Sequence, residues 1–181
     1  MEDKEFRKEL LDQFSENYYS VPSNHEIFQE VIKRMVESAK QLGVTKVVSI
    51  QTRGSYYGLA IAMALKISSV SIFQGGDIRK RDNIIESSGY IDYNGKEKYL
   101  EMFKSSINEE EKVMIVDDWF ESGNTGKAAI ELIEKLKGKV VGVSILFNEL
   151  GDEENKYFEK YNLKYLTKIT IEDKAKFKGF E

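Results

Sequence analysis

Short apolar runs that favour extended backbone alternate along this chain with stretches of helical spacing, and that alternation narrows the fold more than any other feature. Lys46–Ile50 (KVVSI), Ser69–Phe73 (SVSIF), Val113–Val116 (VMIV) and Lys139–Phe147 read as strands, with Leu163–Ile171 as a further one. Between them, Leu59–Leu65 (LAIAMAL) reads as a buried helix and Gly126–Leu136 as an amphipathic one. Val113–Val116 is apolar throughout, as a strand covered on both faces must be. This order predicts an α/β fold, a central and mostly parallel sheet flanked by helices through right-handed crossovers. Ligands of such sheets bind beyond the carboxyl ends of the strands, near a topological switch point. The loops after Ile50, Phe73 and Val116 are therefore the informative ones.

Upstream, residues 4–17 place Phe6, Leu10, Leu11 and Phe14 on one helical face. Pro22 marks a turn or extended break. Ser23 or Asn24 then caps a second helix that buries Ile27, Phe28, Val31, Ile32, Met35 and Val36 and ends near Gly43. Gly75-Gly76 closes the second strand, residues 77–98 read as a long polar loop, and Tyr99–Phe103 as a short helix. Without repeats or a linker, the 181 residues suit a single domain. Residues 1–44 form its N-terminal helices, 45–150 its core, and 151–181 a C-terminal strand and tail.

Composition removes several chemistries. With no cysteine there is no disulfide framework, thiolate zinc site or cysteine nucleophile. His25, the single histidine, supports neither a histidine-rich metal site nor a Ser-His-Asp triad. It reads as a surface residue near a helix start. A net charge of -4 disfavours nucleic acid as a partner, because neutralising a phosphate backbone needs a cationic face. The N-terminus (MEDKEFRKELLDQF) lacks the apolar core of a signal peptide, and Val140–Phe147 is far too short to span a bilayer. A cytoplasmic protein with no membrane partner is the expectation.

The densest chemical signal is Val113–Gly126, VMIVDDWFESGNTG. An apolar strand runs into Asp117 and Asp118, then Trp119 and Phe120, then Glu121-Ser122-Gly123-Asn124-Thr125-Gly126 at the head of a helix. Gly123 and Gly126 allow tight backbone geometry. Successive amides at a helix start form an anion nest favoured by the helix dipole, and Ser122 and Thr125 add hydroxyls. The Gly-Lys-Ser/Thr of a P-loop is missing. Two acids just upstream suit sugar hydroxyls or a hydrated magnesium ion.

This stretch closely resembles the motif by which type I phosphoribosyltransferases bind 5-phosphoribosyl-1-pyrophosphate (PRPP): an apolar strand, two acids, two apolar residues, a variable residue, Thr or Ser, Gly, any residue, Thr. The resemblance implies the type I fold with a small hood. It places Asp117 and Asp118 at the ribose hydroxyls and the Mg2+ shell, and Glu121, Ser122, Gly123, Asn124 and Thr125 around the 5′-phosphate. Gln51-Thr52-Arg53-Gly54, after the first strand, falls where the family has its pyrophosphate loop. An Arg-Gly followed by aromatic residues resembles adenine phosphoribosyltransferases in particular. Thr52, Arg53 and Gly54 are then substrate-binding candidates, with Arg53 bidentate to pyrophosphate and a non-proline cis peptide at Gln51–Thr52. Arg79, Lys80 and Arg81 fall where family members have a mobile loop that closes over the leaving group. Residues 1–44 are expected to contribute to the hood.

The reaction implied is transfer of the phosphoribosyl group from PRPP to a nucleobase, a purine by resemblance and adenine before a 6-oxopurine. Two acids compete to handle the base's proton: Glu121, in the variable motif position where 6-oxopurine enzymes have an acid, and Asp92, in a segment (Tyr90–Lys96) that resembles an adenine-type loop. Asn148-Glu149-Leu150-Gly151 also resembles the loop after the last core strand of adenine-type enzymes. Trp119 stands where relatives have an aliphatic residue against the base; an indole there either stacks on a base or fills the pocket. Tyr18, Tyr19 and Phe28 either cover the base's other face or belong to the core. A homodimer is implied by family resemblance alone. Two further readings keep the fold: a PRPP-sensing regulator without catalysis, and an interaction module that has lost the site.

Overall fold

The computed structural model describes residues 1–17, 19–79, 82–92 and 95–177. In chain order the elements are α1 (Asp3–Glu16), α2 (Ser20–Ser23), α3 (His25–Leu42), β1 (Lys46–Ile50), α4 (Gly54–Leu65), β2 (Ser68–Gln74), β3 (Ile84–Glu86), β4 (Tyr90–Ile91), β5 (Glu97–Lys98) and β6 (Leu100–Phe103). There follow β7 (Lys112–Phe120), α5 (Asn124–Lys135), β8 (Lys139–Asn148), α6 (Asp152–Glu159), β9 (Leu163–Lys168) and α7 (Ile171–Lys176). A seven-stranded sheet has the order β3-β6-β2-β1-β7-β8-β9, and β4 and β5 form a separate hairpin. The stretch from β2 to β9 is parallel, while β6 runs antiparallel to both β2 and β3.

Residues on β1, β7 and β8 divide between two apolar layers. Val47, Met114, Val116 and Phe147 join α1, α3, α4 and Phe177 on one face. Val48, Val113, Ile115 and Ile145 join α5 and Phe158 on the other. Covering both faces explains why these strands are apolar runs rather than alternations. Asn24 caps α3 by accepting the Ile27 N–H at 3.2 Å, and left-handed Gly43 ends the helix.

Four expectations are corrected. Tyr99–Phe103 is no helix: Leu100–Phe103 is a strand, because its backbone finds partners on two sides, in β2 and β3. A short apolar run has no periodicity to settle helix against strand. The polar loop of residues 77–98 contains β3, β4 and β5, whose shortness hid them. The third strand extends four residues beyond Val116, so both aspartates lie on it and not in the loop. Pro22 sits inside the single turn α2, the first of its two expected alternatives. The tail beyond residue 150 also holds α6 and α7 beside its strand.

Candidate active site

β1 and β7 are adjacent and parallel at the middle of the sheet. The chain leaves β1 through α4 toward β2 on one side, and leaves β7 through α5 toward β8 on the other. Their carboxyl ends therefore flank a switch point, where the departing loops leave a crevice.

Asp117 and Asp118 lie at this switch point, 8% and 5% exposed. Gly54, the first residue of α4, lets the helix start close against them: a Cβ there would lie 2.8 Å from Asp117 Oδ1 and 3.0 Å from the Val116 carbonyl. The Gln51–Thr52 peptide is cis, as expected. It leads into Arg53, whose Nε donates to Asp118 Oδ2. The guanidinium thus meets a carboxylate across 65 residues of sequence. Burial opposes its charge, but Asp118 and then Asp117 outweigh burial, and Arg53 holds its proton more tightly than a free arginine. For Asp117, burial and then the charge of Asp118 push the carboxyl well above the usual range, against the opposing Asp118 N–H bond to its Oδ1 (2.9 Å) and the guanidinium. Thr52 is exposed beside this pair.

Four residues after Asp118, the chain enters the turn Ser122–Gly123. Gly123 has φ +72°, the left-handed region that glycine takes without strain, and it precedes the first residue of α5. A Cβ there would also lie 2.7 Å from Phe158. Among the described residues, the amides of Ser122, Gly123 and Thr125 donate to no protein acceptor, and that of Asn124 reaches only the Ser122 hydroxyl at 3.4 Å. Unpaired donors gathered at the positive end of a twelve-residue helix form an anion cradle. Glu121 is exposed at its rim.

Asn124 also reaches outward. Its Nδ2 donates to the Ile91 carbonyl at 2.9 Å, tying the β4–β5 hairpin to the cradle. Asp92 is in that hairpin, but its carboxylate is turned inward: Oδ1 accepts the Lys96 N–H (2.9 Å) and Oδ2 pairs with Lys98 (2.9 Å). Arg79 is exposed beyond β2. Tyr18, Lys80 and Arg81 lie outside the described residues.

Trp119 takes a third position. Its ring packs against Phe147 (5.3 Å between centroids), Phe14 (5.5 Å) and Phe177 (5.7 Å), and its Nε1 donates to Glu149 Oε2 at 3.0 Å. Phe28 leans on Tyr57 in the core, whereas Tyr19 meets Tyr56 edge-on at the surface. His25 is exposed at the start of α3.

The profile of the family described as "Phosphoribosyl transferase domain" matches residues 16–181. The chain belongs to the phosphoribosyltransferase family. It is 35% identical over 136 residues to the adenine phosphoribosyltransferase of Yersinia pestis (strain Pestoides F), covering 74% of this chain and 71% of that one. The enzyme of that name from Histophilus somni (strain 2336) is 31% identical over 130 residues, covering 71% and 70%. The crystal structure of adenine phosphoribosyltransferase from Thermoanaerobacter pseudethanolicus shares its fold, with a TM-score of 0.74 at 23% identity over 83% of this chain and 85% of that one. The fold is thus that of type I members resembling adenine phosphoribosyltransferase, and this phosphoribosyltransferase is a PRPP-dependent enzyme.

Sequence reasoning assigned no role to Glu149, Lys174, Phe14 or Phe177 around Trp119 in this phosphoribosyltransferase. The position of Glu149 at the carboxyl end of a core strand was the available signal. Phe14 was legible only as part of the apolar face of α1, and nothing local marks Lys174 or Phe177.

Proposed function

We propose that this phosphoribosyltransferase transfers the 5-phosphoribosyl group of PRPP to a purine, adenine before others, and releases pyrophosphate. The observation that carries the reading is the juxtaposition of unpaired amides at Ser122–Thr125 with the Asp117–Asp118 pair and Arg53 at one switch point. The 5′-phosphate would occupy the amides, with the Ser122 and Thr125 hydroxyls in support. The ribose hydroxyls would donate to Asp117 and Asp118, and Arg53 would turn from Asp118 to the pyrophosphate, joined by Thr52 and by Arg79, Lys80 and Arg81.

The C1–O bond to pyrophosphate breaks with its electron pair leaving on pyrophosphate, a base nitrogen bonds to C1, and the proton of that nitrogen passes to a carboxylate. Holding both reactants in line and meeting charge with fixed groups would supply the rate. Glu121 is the better-placed carboxylate, since Lys96 and Lys98 engage Asp92.

Among the described residues no three acidic or histidine side chains cluster. Mg2+ commonly takes one or two carboxylates and completes its shell with water and substrate phosphates, so Asp117 and Asp118 fit it in the presence of PRPP. Bound there, the ion would neutralise charge developing on the leaving pyrophosphate.

Adenine is favoured by the curated relatives at 31–35% identity. Glu121 favours a second reading, a 6-oxopurine, because an acid occupies the variable motif position. Incubation with Mg2+, PRPP and a panel of adenine, hypoxanthine, guanine and pyrimidines separates the readings by pyrophosphate release. Turnover with adenine is expected. Silence with every base by folded protein that still binds PRPP would leave the sensing role, and silence without PRPP binding would end both.

Assembly into a homodimer is supported by α4, which is apolar all round yet leaves Leu59 58% and Met63 72% exposed. Leu59→Glu should then give a smaller species by light scattering. Among the described residues no helix is long and apolar enough to cross a membrane.

A further inference from the structure

Arg53 and Asp118 occupy each other. The guanidinium Nε donates to Asp118 Oδ2, with the two side chains 31% and 7% exposed. Among the described residues, no other cation pairs with Asp118, and none pairs with Asp117. The carboxylates are neighbours on β7, where the Asp118 N–H donates to Asp117 Oδ1 at 2.9 Å. Two adjacent buried acids thus share one counter-ion. A buried charge stripped of its partner is costly, so neither Arg53 nor Asp118 is released without a replacement.

The backbone is fixed on both sides of the pair. β7 is held between β1 and β8, with Asp117 in register with Ile145 and Trp119 with Phe147. At the turn into α4, the Thr52 carbonyl accepts the Ser55 N–H at 3.3 Å and the Arg53 carbonyl accepts the Tyr56 N–H at 3.2 Å. Opening the pair therefore needs only rotation of the Arg53 side chain, which is partly exposed.

Each half of the pair is also a ligand group. A guanidinium takes phosphate oxygens in its fork, and carboxylates take a divalent cation. An anion arriving alone would draw Arg53 away and leave Asp118 beside Asp117 with no counter-ion. A cation arriving alone would meet a carboxylate already engaged, and would sit beside the guanidinium it displaced. When both arrive, partners are exchanged and every charge stays paired.

We propose that the Arg53–Asp118 pair determines specificity, making the site take a polyphosphate anion and a divalent cation together and resist either one alone. The inference rests on the donor reading above and deepens it: the pair would select PRPP accompanied by Mg2+ over PRPP without it. Such coupling is reciprocal, so the factor that the cation adds to anion affinity is the factor that the anion adds to cation affinity. Coupling between two ligands is typically about 5- to 150-fold, and removing one member of the pair should release a gain of that order.

The test uses inorganic pyrophosphate in metal-free buffer, and Mn2+ followed by electron spin resonance and water-proton relaxation. Circular dichroism checks the fold of each variant. Asp118→Asn frees Arg53 and should bind metal-free pyrophosphate about tenfold more tightly than the wild type, or better. Asp117→Asn removes an equal formal charge without freeing Arg53 and should gain clearly less. In the double variant, Arg53→Gln with Asp118→Asn, the gain should vanish. Arg53→Gln should bind Mn2+ without pyrophosphate, whereas the wild type should hold the ion only when pyrophosphate is present.

A folded Asp118→Asn variant with no gain would overturn the inference. Equal gains in Asp118→Asn and Asp117→Asn would reduce the effect to net charge and overturn it too, as would a gain that survives in the double variant. So would a wild type that binds Mn2+ as tightly alone as with pyrophosphate, an outcome that needs no variant to fold. In each of these cases, a wild type that still shifts in melting temperature with Mg2+ and PRPP leaves the donor reading standing. A wild type that shows no such shift and transfers to no base would end the donor reading and this inference with it.

Discussion

The proposed donor site and the surroundings of Trp119 are built in opposite ways. The cradle and both aspartates come from one run of nine residues, Asp117–Thr125, carried by a strand end and a helix start. The surroundings of Trp119 come from Phe14, Phe147, Glu149, Lys174 and Phe177, which span most of the chain. Backbone geometry makes the first site, since amides at a helix start point outward whatever the distant sequence. Side-chain packing makes the second, and every part of it depends on how α1, β8 and α7 are brought together. A locally built site should be hard to move and easy to abolish. A site built from afar should be easy to loosen by degrees.

Substitution at the aspartates gives the sharpest test of that difference. Asp118→Asn should lower turnover about 10²- to 10³-fold, the scale of losing one preorganised electrostatic contact. Asp117→Asn should abolish PRPP binding in a thermal-shift assay while raising the melting temperature of the free protein, because burial already disfavours the charge it removes. If PRPP binding survives both changes, the donor side is not at these residues.

Gly54→Ala tests whether the donor side is truly local, since it alters the approach of α4 to Asp117. Its Cβ would fall 2.8 Å from a carboxylate oxygen and 3.0 Å from a backbone carbonyl, so the helix must shift, at a cost of about 1–3 kcal/mol. Chemical denaturation should show that loss, together with weaker PRPP binding. Unchanged donor affinity would mean that the Asp117–Thr125 run acts without its neighbour.

The surroundings of Trp119 should respond to acid. Burial alone would raise the Asp173 carboxyl, but hydrogen bonds from Thr170 and the charge of Arg7 outweigh it and hold the group below its ordinary value. A depressed carboxylate contributes stability that is present above its unfolded pKa of about 3.9 and lost as pH falls through the lower folded value. Emission from Trp119 should therefore be constant from neutral pH down to about pH 4 and change below it as α7 loosens. Asp173→Asn should remove that step. A step at higher pH would assign the release to some other group.

The smallest effect is expected at the junction with the hairpin. Asn124→Ala removes one partly exposed hydrogen bond to Ile91, about 1 kcal/mol at most, and should raise amide exchange across residues 90–98 with little change in turnover. A large loss of activity would mean that the hairpin belongs to the donor side after all.

Much of the fold was legible because its strands are buried on both faces and so stand out as apolar runs between helical stretches. Val113–Val116 and Lys139–Phe147 were marked in this way, and Asn24 and Gly43 bounded α3 by their chemistry. Leu100–Phe103 was not legible, since a short apolar run fits either geometry and only the pairing with β2 and β3 decides. β3 to β5 were hidden for the same reason, being too short to carry a period.

By itself the sequence determined the cradle, because a left-handed glycine, two hydroxyls and a helix start lie next to one another and shape their own backbone. Tertiary structure alone decided that Arg53 rests on Asp118, that the Asp92 carboxylate turns into its own hairpin, and that Trp119 answers to Glu149. These are encounters between side chains from separate segments or within a folded turn, and their geometry follows from sheet order and packing, which no local pattern of residues encodes.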